Sequence, residues 1–207
     1  MKRIGLLGGS FNPAHGGHRA ISLFAIRALG LDEVWWLISP GNPLKDPTTM
    51  APLGVRLASA AKLARGVPIR PTAIEARLGT RYTADTLKAL KRRYPRHQFI
   101  WLMGADNLLQ FDEWKNWRGI ARTVPIAVIA RPGYNHGARA APAMGWLRRF
   151  VRPAGQVRSW TTWRPPALVL LRFVPDPRSA TRIRQADPLW HRRASMRVSS
   201  SRRTHSS

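Results

Sequence analysis

Residues Ile4 to His18, I-G-L-L-G-G-S-F-N-P-A-H-G-G-H, constrain the fold more than any other stretch. Ile4 to Leu7 is a short apolar run that reads as a buried strand. Gly8-Gly9-Ser10 ends it, and Asn12-Pro13 forces a turn. From Gly16 or Gly17 onward, Ile21, Leu23, Phe24 and Ile26 recur at helical spacing. A strand, a glycine turn and a helix start form a cradle for phosphate. Glycine lets backbone approach an anion, and the N-terminal amides of a helix point at it. His15 and His18 stand where that helix begins, placed to donate to phosphate oxygens and to stabilise charge appearing there. The same residues also fit plainer readings: a tight turn, a capping histidine, or half of a metal site. No cysteine or nearby acidic cluster is available to complete the last.

The rest of the chain alternates strands and helices. Gly30-Leu31-Asp32 turns into a second strand, Glu33 to Ile38. The loop Ser39 to Lys45 leaves its C-terminal end, the edge where open α/β sheets hold ligands. Lys45 is therefore a candidate phosphate contact, or simply a loop lysine. A helix is predicted over Met50 to Arg65, then an edge or irregular strand over Val67 to Glu75, which contains prolines. The next helix runs to about Tyr94 and offers Thr83 or Asp85 as its cap. Gln98 to Met103 is a fourth strand. Beyond it, Gly104 and Asp106 stand where α/β folds place a carboxylate on ribose hydroxyls, or where Asp106 caps a helix.

Trp114 and Trp117, three apart on a helical turn, are expected to face the core. Val124 to Ala130 is a fifth strand, closed by Arg131-Pro132-Gly133, with Arg131 well placed for phosphate. A helix is expected around Met144 to Val151, and Trp160 to Pro166 is a loop of unread role. Ala167 to Val174 is the last clear strand. Ser179, Thr181 and Arg184 follow at a helix start, where hydroxyls, amides and charge can take phosphate. Residues 1–185 are thus expected to form one domain, and the Arg/Ser-rich segment 186–207 to be disordered.

Composition excludes several classes. With no cysteine among 207 residues, disulfides and thiolate metal sites are ruled out and a reducing, cytoplasmic setting is expected. No long apolar span predicts a membrane crossing. A net charge of +25 favours anionic partners. Its arginines are spread along the chain, however, without a zinc-finger, basic-zipper or aromatic RNA-binding signature. An Arg-rich enzyme acting on phosphates is favoured over a nucleic-acid-binding protein.

The opening string resembles the G-[TS]-F-[DN]-P-x-H-x-G-H signature of the HxGH nucleotidyltransferase superfamily. Ser10, Phe11, Pro13, His15, Gly17 and His18 match it, and Asn12 stands where aspartate is commoner. R-Y-T-A-D-T-L (Arg81 to Leu87) is similar to the [ST]-Y-T-x-D-T-L segment of bacterial nicotinate-mononucleotide adenylyltransferases. The segments around Trp114, Arg131-Pro132-Gly133 and S-A-T-R-I-R (Ser179 to Arg184) follow in the same family's order. Departures are Lys115 where tyrosine is frequent, Arg178 where Ile or Leu is usual, and a tail without the family's V-P-x-x-V-x-x-Y-I pattern.

The resemblance implies an α/β, Rossmann-like open parallel sheet with helices on both faces. It implies transfer of AMP from ATP to nicotinate mononucleotide without a covalent enzyme intermediate. Its catalytic residues would be His15 and His18. ATP would be held by Gly9, Ser10, Phe11, Gly104, Asp106, Arg131, Ser179, Thr181 and Arg184. The pyridine nucleotide would be held by Lys45, Thr83, Asp85 and Trp114. Mg²⁺ would arrive with ATP and be held mostly by the nucleotide, with no protein metal ligands assigned. An adenylyltransferase for another phosphorylated acceptor, such as phosphopantetheine, is the alternative within the class. Oligomeric state and nicotinate-versus-nicotinamide preference are left open.

Overall fold

A computed structural model describes residues 1–41, 50–130 and 140–173 of the chain. Its strands are β1 (Arg3–Gly9), β2 (Glu33–Ile38), β3 (Ile69–Thr72), β4 (Gln98–Gly104), β5 (Ile126–Ala130), β6 (Val151–Arg152) and β7 (Leu168–Arg172). All pair in parallel, in the order β3-β2-β1-β4-β5-β7-β6. A parallel neighbour cannot be reached by a tight hairpin, so crossovers carry the chain back over the sheet. The described helices in them are α1 (Gly16–Leu29), α2 (Leu53–Leu63), α3 (Ile74–Leu78), α4 (Thr83–Arg93), α5 (Ala105–Leu109), α6 (Trp117–Thr123) and α7 (Met144–Leu147).

Successive strand residues enter opposite cores. On one face Trp35, Leu37, Phe99, Trp101, Met103 and Val128 pack with Leu87 and Leu90 of α4, Leu108 of α5 and Ile120 of α6. On the other, Val34, Trp36, Ile38, Ile100, Leu102 and Ile129 pack with Ala25 and Leu29 of α1, Ala60 of α2 and Trp160. A strand buried on both faces has no polar side, so these strands read as near-continuous apolar runs. The expected open parallel sheet with helices on both faces is the architecture observed.

The strand order places the site. From β1 the chain steps outward to β2 and β3, then returns past β1 to β4 and steps outward the other way. β1 and β4 are neighbours, so their crossovers diverge and leave a crevice beyond their carboxyl ends. Gly8 and Gly9 end one strand there, and Gly104 ends the other.

Several expected boundaries shift. The strand predicted over Val67 to Glu75 stops at Thr72, and Ile74–Leu78 is helical. Ile74 and Leu78, four apart, both pack into the core beneath α4, a helical pairing that overrides the extended reading. β3 does form the sheet edge, where Pro71 can be tolerated. The helix predicted around Met144 to Val151 is a single turn, α7, followed by a 3-10 turn (Arg148–Phe150) and β6. Trp114 and Trp117 do not share a helical turn, because Asn116 between them is left-handed (φ 53°). The helix start at Ser179 to Arg184 and the tail 186–207 lie outside the described residues.

The segment containing Trp160 gains a definite role. Ala154–Thr162 is a 3-10 stretch, and Trp160, only 2% exposed, anchors it against α1. Its Nε1 donates to the Leu29 carbonyl at 3.0 Å, satisfying an acceptor in the last turn of α1 that the helix itself leaves open. Gly30 (φ 62°) then ends α1 in the left-handed conformation that glycine adopts at least cost. Trp160→Phe keeps most of the ring and removes the donor. It should lower unfolding stability by about 1–3 kcal/mol, the usual cost of a buried acceptor losing its partner. Chemical denaturation checks this, and an unchanged midpoint would remove the bond from the account.

Candidate active site

The turn after β1 is held from both ends. Phe11 takes a left-handed backbone (φ 46°), a conformation costing a non-glycine residue about 1 kcal/mol or more. Its buried ring stacks on Trp36 (centroids 5.1 Å apart) and lies 4.6 Å from the His18 ring. At the start of α1 the two histidines form a reciprocal cap. His15 Nδ1 accepts from the Gly17 amide and His18 Nδ1 accepts from the His15 amide, each at 3.2 Å. Their rings lie 3.9 Å apart. A ring nitrogen that accepts carries no hydrogen, so each neutral imidazole has its hydrogen on Nε2. Capping and phosphate chemistry are therefore compatible: the cap fixes tautomer and orientation, and Nε2–H is the donor each ring can offer.

Behind the turn lies a residue that the sequence reading passes over. Arg56 of α2 is 1% exposed. Its Nη1 donates to the carbonyls of Ser10 (2.7 Å) and Ser39 (2.8 Å), Nε to Ala51 (2.7 Å) and Nη2 to Pro40 (3.4 Å). Asn12 Oδ1 accepts from the Ala51 amide at 3.2 Å, closing the same network. Burial pushes the Arg56 pKa down, yet guanidinium stays charged in proteins. The available signal was spacing. Arg56, Ala60 and Ala64 recur every four residues, so Arg56 shares the face on which Ala60 and Ala64 are buried.

A cavity of about 700 Å³ opens at the reversal point. Gly9 and Ser10 line it from the turn, Thr83 from the start of α4, Asp106 from α5, and Trp114 from the segment beyond. Five residues from distant parts of the sequence are thus brought together. Phe11, His15 and His18 belong to the adjoining turn rather than to the lining. Gly104 lies close by: a Cβ there would meet Oδ1 of Asp106, which folds back over it, so the carboxylate would have to shift. Asp106 does not cap α5, whose N-cap is Gly104. Neither Thr83 nor Asp85 caps α4, whose N-cap is Tyr82 without a side-chain bond. Asp85 is exposed on α4 and is not among the residues that line the cavity. Lys45, Arg131, Ser179, Thr181 and Arg184 lie outside the described residues. A smaller opening of about 410 Å³ beside Arg152, Trp163 and Arg164 is at the far edge of the sheet, away from the reversal.

The wall opposite the turn is aromatic. Trp114, half-buried, meets Trp101 and Phe111 edge-on at 6.2 and 5.5 Å. Trp117 instead packs against Phe111 and Trp146, outside the lining. Lys115 places its ammonium 4.2 Å from the Tyr82 ring centroid, a cation–π contact between the two segments flanking this wall. Glu75 also lines the cavity, although sequence reading put it at a strand end. It is 7% exposed. Its Oε1 accepts from Thr86 Oγ1 at 3.2 Å, and that hydroxyl also reaches the Tyr82 carbonyl (3.2 Å) and Thr80 Oγ1 (2.9 Å). Burial raises the Glu75 pKa to about 7, with the Thr86 bond opposing the rise. Among the described residues no group of three His, Cys, Asp or Glu side chains converges to hold a metal ion.

Comparison with known proteins gives the class. The chain belongs to the cytidylyltransferase-like family, whose model matches residues 6–186. It is 65% identical over 188 residues to a probable nicotinate-nucleotide adenylyltransferase of Erythrobacter litoralis, covering 91% of this chain and 86% of that one. It is 52% identical over 183 residues to the probable nicotinate-nucleotide adenylyltransferase of Parvibaculum lavamentivorans, covering 88% and 91%. The fold is similar to that of Plasmodium falciparum nicotinic acid mononucleotide adenylyltransferase complexed with NaAD. That match has a TM-score of 0.64 and 16% identity, and covers 89% of this chain and 83% of that one.

A buried carboxyl whose pKa rises on folding makes stability depend on pH. Its contribution is intact below the unfolded value of 4.5 and is lost as pH climbs toward about 7. At about 1.4 kcal/mol per unit this amounts to about 3 kcal/mol. Glu75→Gln should therefore gain about that much relative to wild type between pH 4 and pH 8, measured by urea unfolding. Parallel pH profiles would contradict the burial of an ionisable Glu75.

Proposed function

We infer that this chain catalyses adenylyl transfer from ATP to nicotinate mononucleotide, giving nicotinate adenine dinucleotide and pyrophosphate. One observation carries the reading: 65% identity across nearly the whole chain to a relative named for that activity. The cavity at the reversal point, between the histidine turn and Trp114, supplies the space such a reaction needs. No helix among the described residues is long and apolar enough to cross a membrane, and the lack of cysteine suits a reaction in the cytoplasm.

The chemistry is an in-line displacement. An oxygen of the mononucleotide 5′-phosphate forms a bond to the α-phosphorus of ATP as the bond to the β-phosphate oxygen breaks, and pyrophosphate leaves. The protein positions the two phosphates and stabilises charge. In this reading His15 and His18 donate through Nε2–H to the α- and β-phosphate region, with His18 meeting the charge that grows on the leaving oxygen. The amides of Gly9, Ser10 and Phe11 face the triphosphate, and Asp106 takes the ribose hydroxyls over Gly104. Trp114 stacks on the pyridine ring, and Thr83 lies by its acid group. Lys45, Arg131, Ser179, Thr181 and Arg184 are proposed as further nucleotide contacts. A divalent cation, Mg²⁺, enters as part of the ATP substrate and neutralises phosphate charge.

Pyrophosphate release from ATP, with nicotinate and nicotinamide mononucleotides supplied in parallel, tests the reading; no release with either acceptor overturns it. His18→Ala should lower kcat by roughly 10²–10³, the cost of losing one charge-stabilising donor. Unchanged kcat would take His18 out of the reaction. Trp114→Ala should raise KM for the mononucleotide and leave KM for ATP unchanged, and equal losses for both substrates would refute the stacking role.

A further inference from the structure

We propose that Arg56 is a positioning residue for the transfer step: its buried guanidinium clamps the strained turn at Phe11 from both sides and so holds His18 in line, and its loss slows the reaction while sparing substrate binding. The inference rests on the adenylyl-transfer reading and deepens it. Phe11 is the vulnerable point of the turn. A non-glycine residue in the left-handed region (φ 46°) persists only where its surroundings over-determine it. Arg56 supplies that constraint on the near side: Nη1 donates at 2.7 Å to the Ser10 carbonyl, which belongs to the peptide preceding Phe11. On the far side Nε donates to the Ala51 carbonyl at 2.7 Å. The Ala51 amide donates in turn to Oδ1 of Asn12, the residue after Phe11, at 3.2 Å.

The clamp is itself anchored in the sheet. Nη1 also donates to the Ser39 carbonyl at 2.8 Å, and the Ser39 amide bonds to the Gly9 carbonyl at 3.0 Å. With its backbone held, Phe11 keeps its ring against Trp36 and against the His18 imidazole. His18 then accepts from the His15 amide through Nδ1, which leaves Nε2–H as its donor. Contacts therefore run without a break from a buried cation outside the cavity lining to the group assigned to the leaving oxygen. A misplacement of about 1 Å at such a group can cost about 10²-fold in rate. Lysine would keep the charge, but its three donors sit on one atom and cannot reach Ser10, Ser39 and Ala51 together. No ion pair joins Arg56 to a described carboxylate, so its described hydrogen bonds all go to these backbone carbonyls and that of Pro40.

Pyrophosphate release by the full chain, expressed per folded molecule, tests the proposal together with nitrogen NMR of the imidazoles at a pH where both rings are neutral. Arg56→Lys should lower kcat by roughly 10–100-fold and leave KM for ATP and for the mononucleotide unchanged. In the wild type His18 should show the single Nε2–H tautomer, and in Arg56→Lys a mixture of the two. Trp160→Phe weakens the fold away from the turn, so it should change neither kcat nor the tautomer, which separates positioning from general stability. If Arg56→Lys does not fold, Asn12→Ala decides, because it opens the same clamp on the far side of Phe11 and should reproduce both effects more weakly. The proposal is overturned if the folded variant keeps the wild-type kcat, if the loss lies in KM alone, or if kcat falls while His18 keeps its single tautomer. A wild-type chain that releases no pyrophosphate with either mononucleotide defeats the functional reading, and the tautomer measurement still judges the clamp.

Discussion

The guanidinium of Arg56 gathers carbonyls from three separate pieces of chain: Ser10 in the turn after β1, Ser39 and Pro40 beyond β2, and Ala51 before α2. Each piece ends or begins an element at the carboxyl edge of the sheet; the Ser39 amide bonds to the Gly9 carbonyl at 3.0 Å, and the guanidinium ties all three pieces together. A planar fork with five donors can reach several carbonyls at once. A lysine ammonium, with three donors at one point, could not span them. Removing such a charge from water costs several kcal/mol, offset here by charge-assisted bonds to carbonyl dipoles rather than by a carboxylate. Because Ser10 and Ser39 also line the cavity, the shape of this side of it is set by how this one side chain is satisfied.

The other side of the cavity is organised by packing. Trp101 comes up from β4 beneath Trp114, and Phe111 braces Trp114 from the 3-10 turn that follows α5. The indole is thus fixed edge-on to two rings, which leaves its orientation little freedom. A site that must align two phosphates tolerates little slack. Here one wall is fixed by hydrogen bonds to a buried cation and the other by interlocked rings, both anchored in the same sheet.

Much of this was legible in the sequence because it depends on local order. Strand, glycine turn and capped helix follow one another without interruption between Ile4 and His18, so the crevice could be placed before any tertiary contact was known. The spacing of Gly104 and Asp106 was legible for the same reason: the glycine makes room for the carboxylate two residues on. Arg56 and Glu75 were missed because their significance is entirely tertiary. Arg56 has partners up to 46 residues away, and Glu75 enters the cavity only because Ile74–Leu78 is a helix and not the end of a strand. Trp117 resembled Trp114 in the sequence. The left-handed Asn116 between them sends the two rings to different neighbours.

The net charge of +25 invites the idea that phosphate binding uses up the surplus, but the described cavity is close to balanced. Its lining includes Arg81 and Lys115 against Glu75, Asp106 and Glu113. Some of the described arginines elsewhere lie on aromatic rings: Arg118 over Trp117 (4.8 Å), Arg122 over Trp146 (5.4 Å) and Arg149 over Phe150 (5.9 Å). Those contacts favour the cation through the ring quadrupole and leave it on the surface. Net charge of this kind bears on solubility and on the long-range approach of anions. Under the proposed function, close recognition of phosphate rests on oriented groups at the turn: backbone amides and two imidazoles whose tautomers are fixed by capping, with the buried guanidinium holding the turn from behind. Oriented dipoles distinguish a phosphate in one position from a phosphate nearby, which a diffuse excess of arginine cannot do.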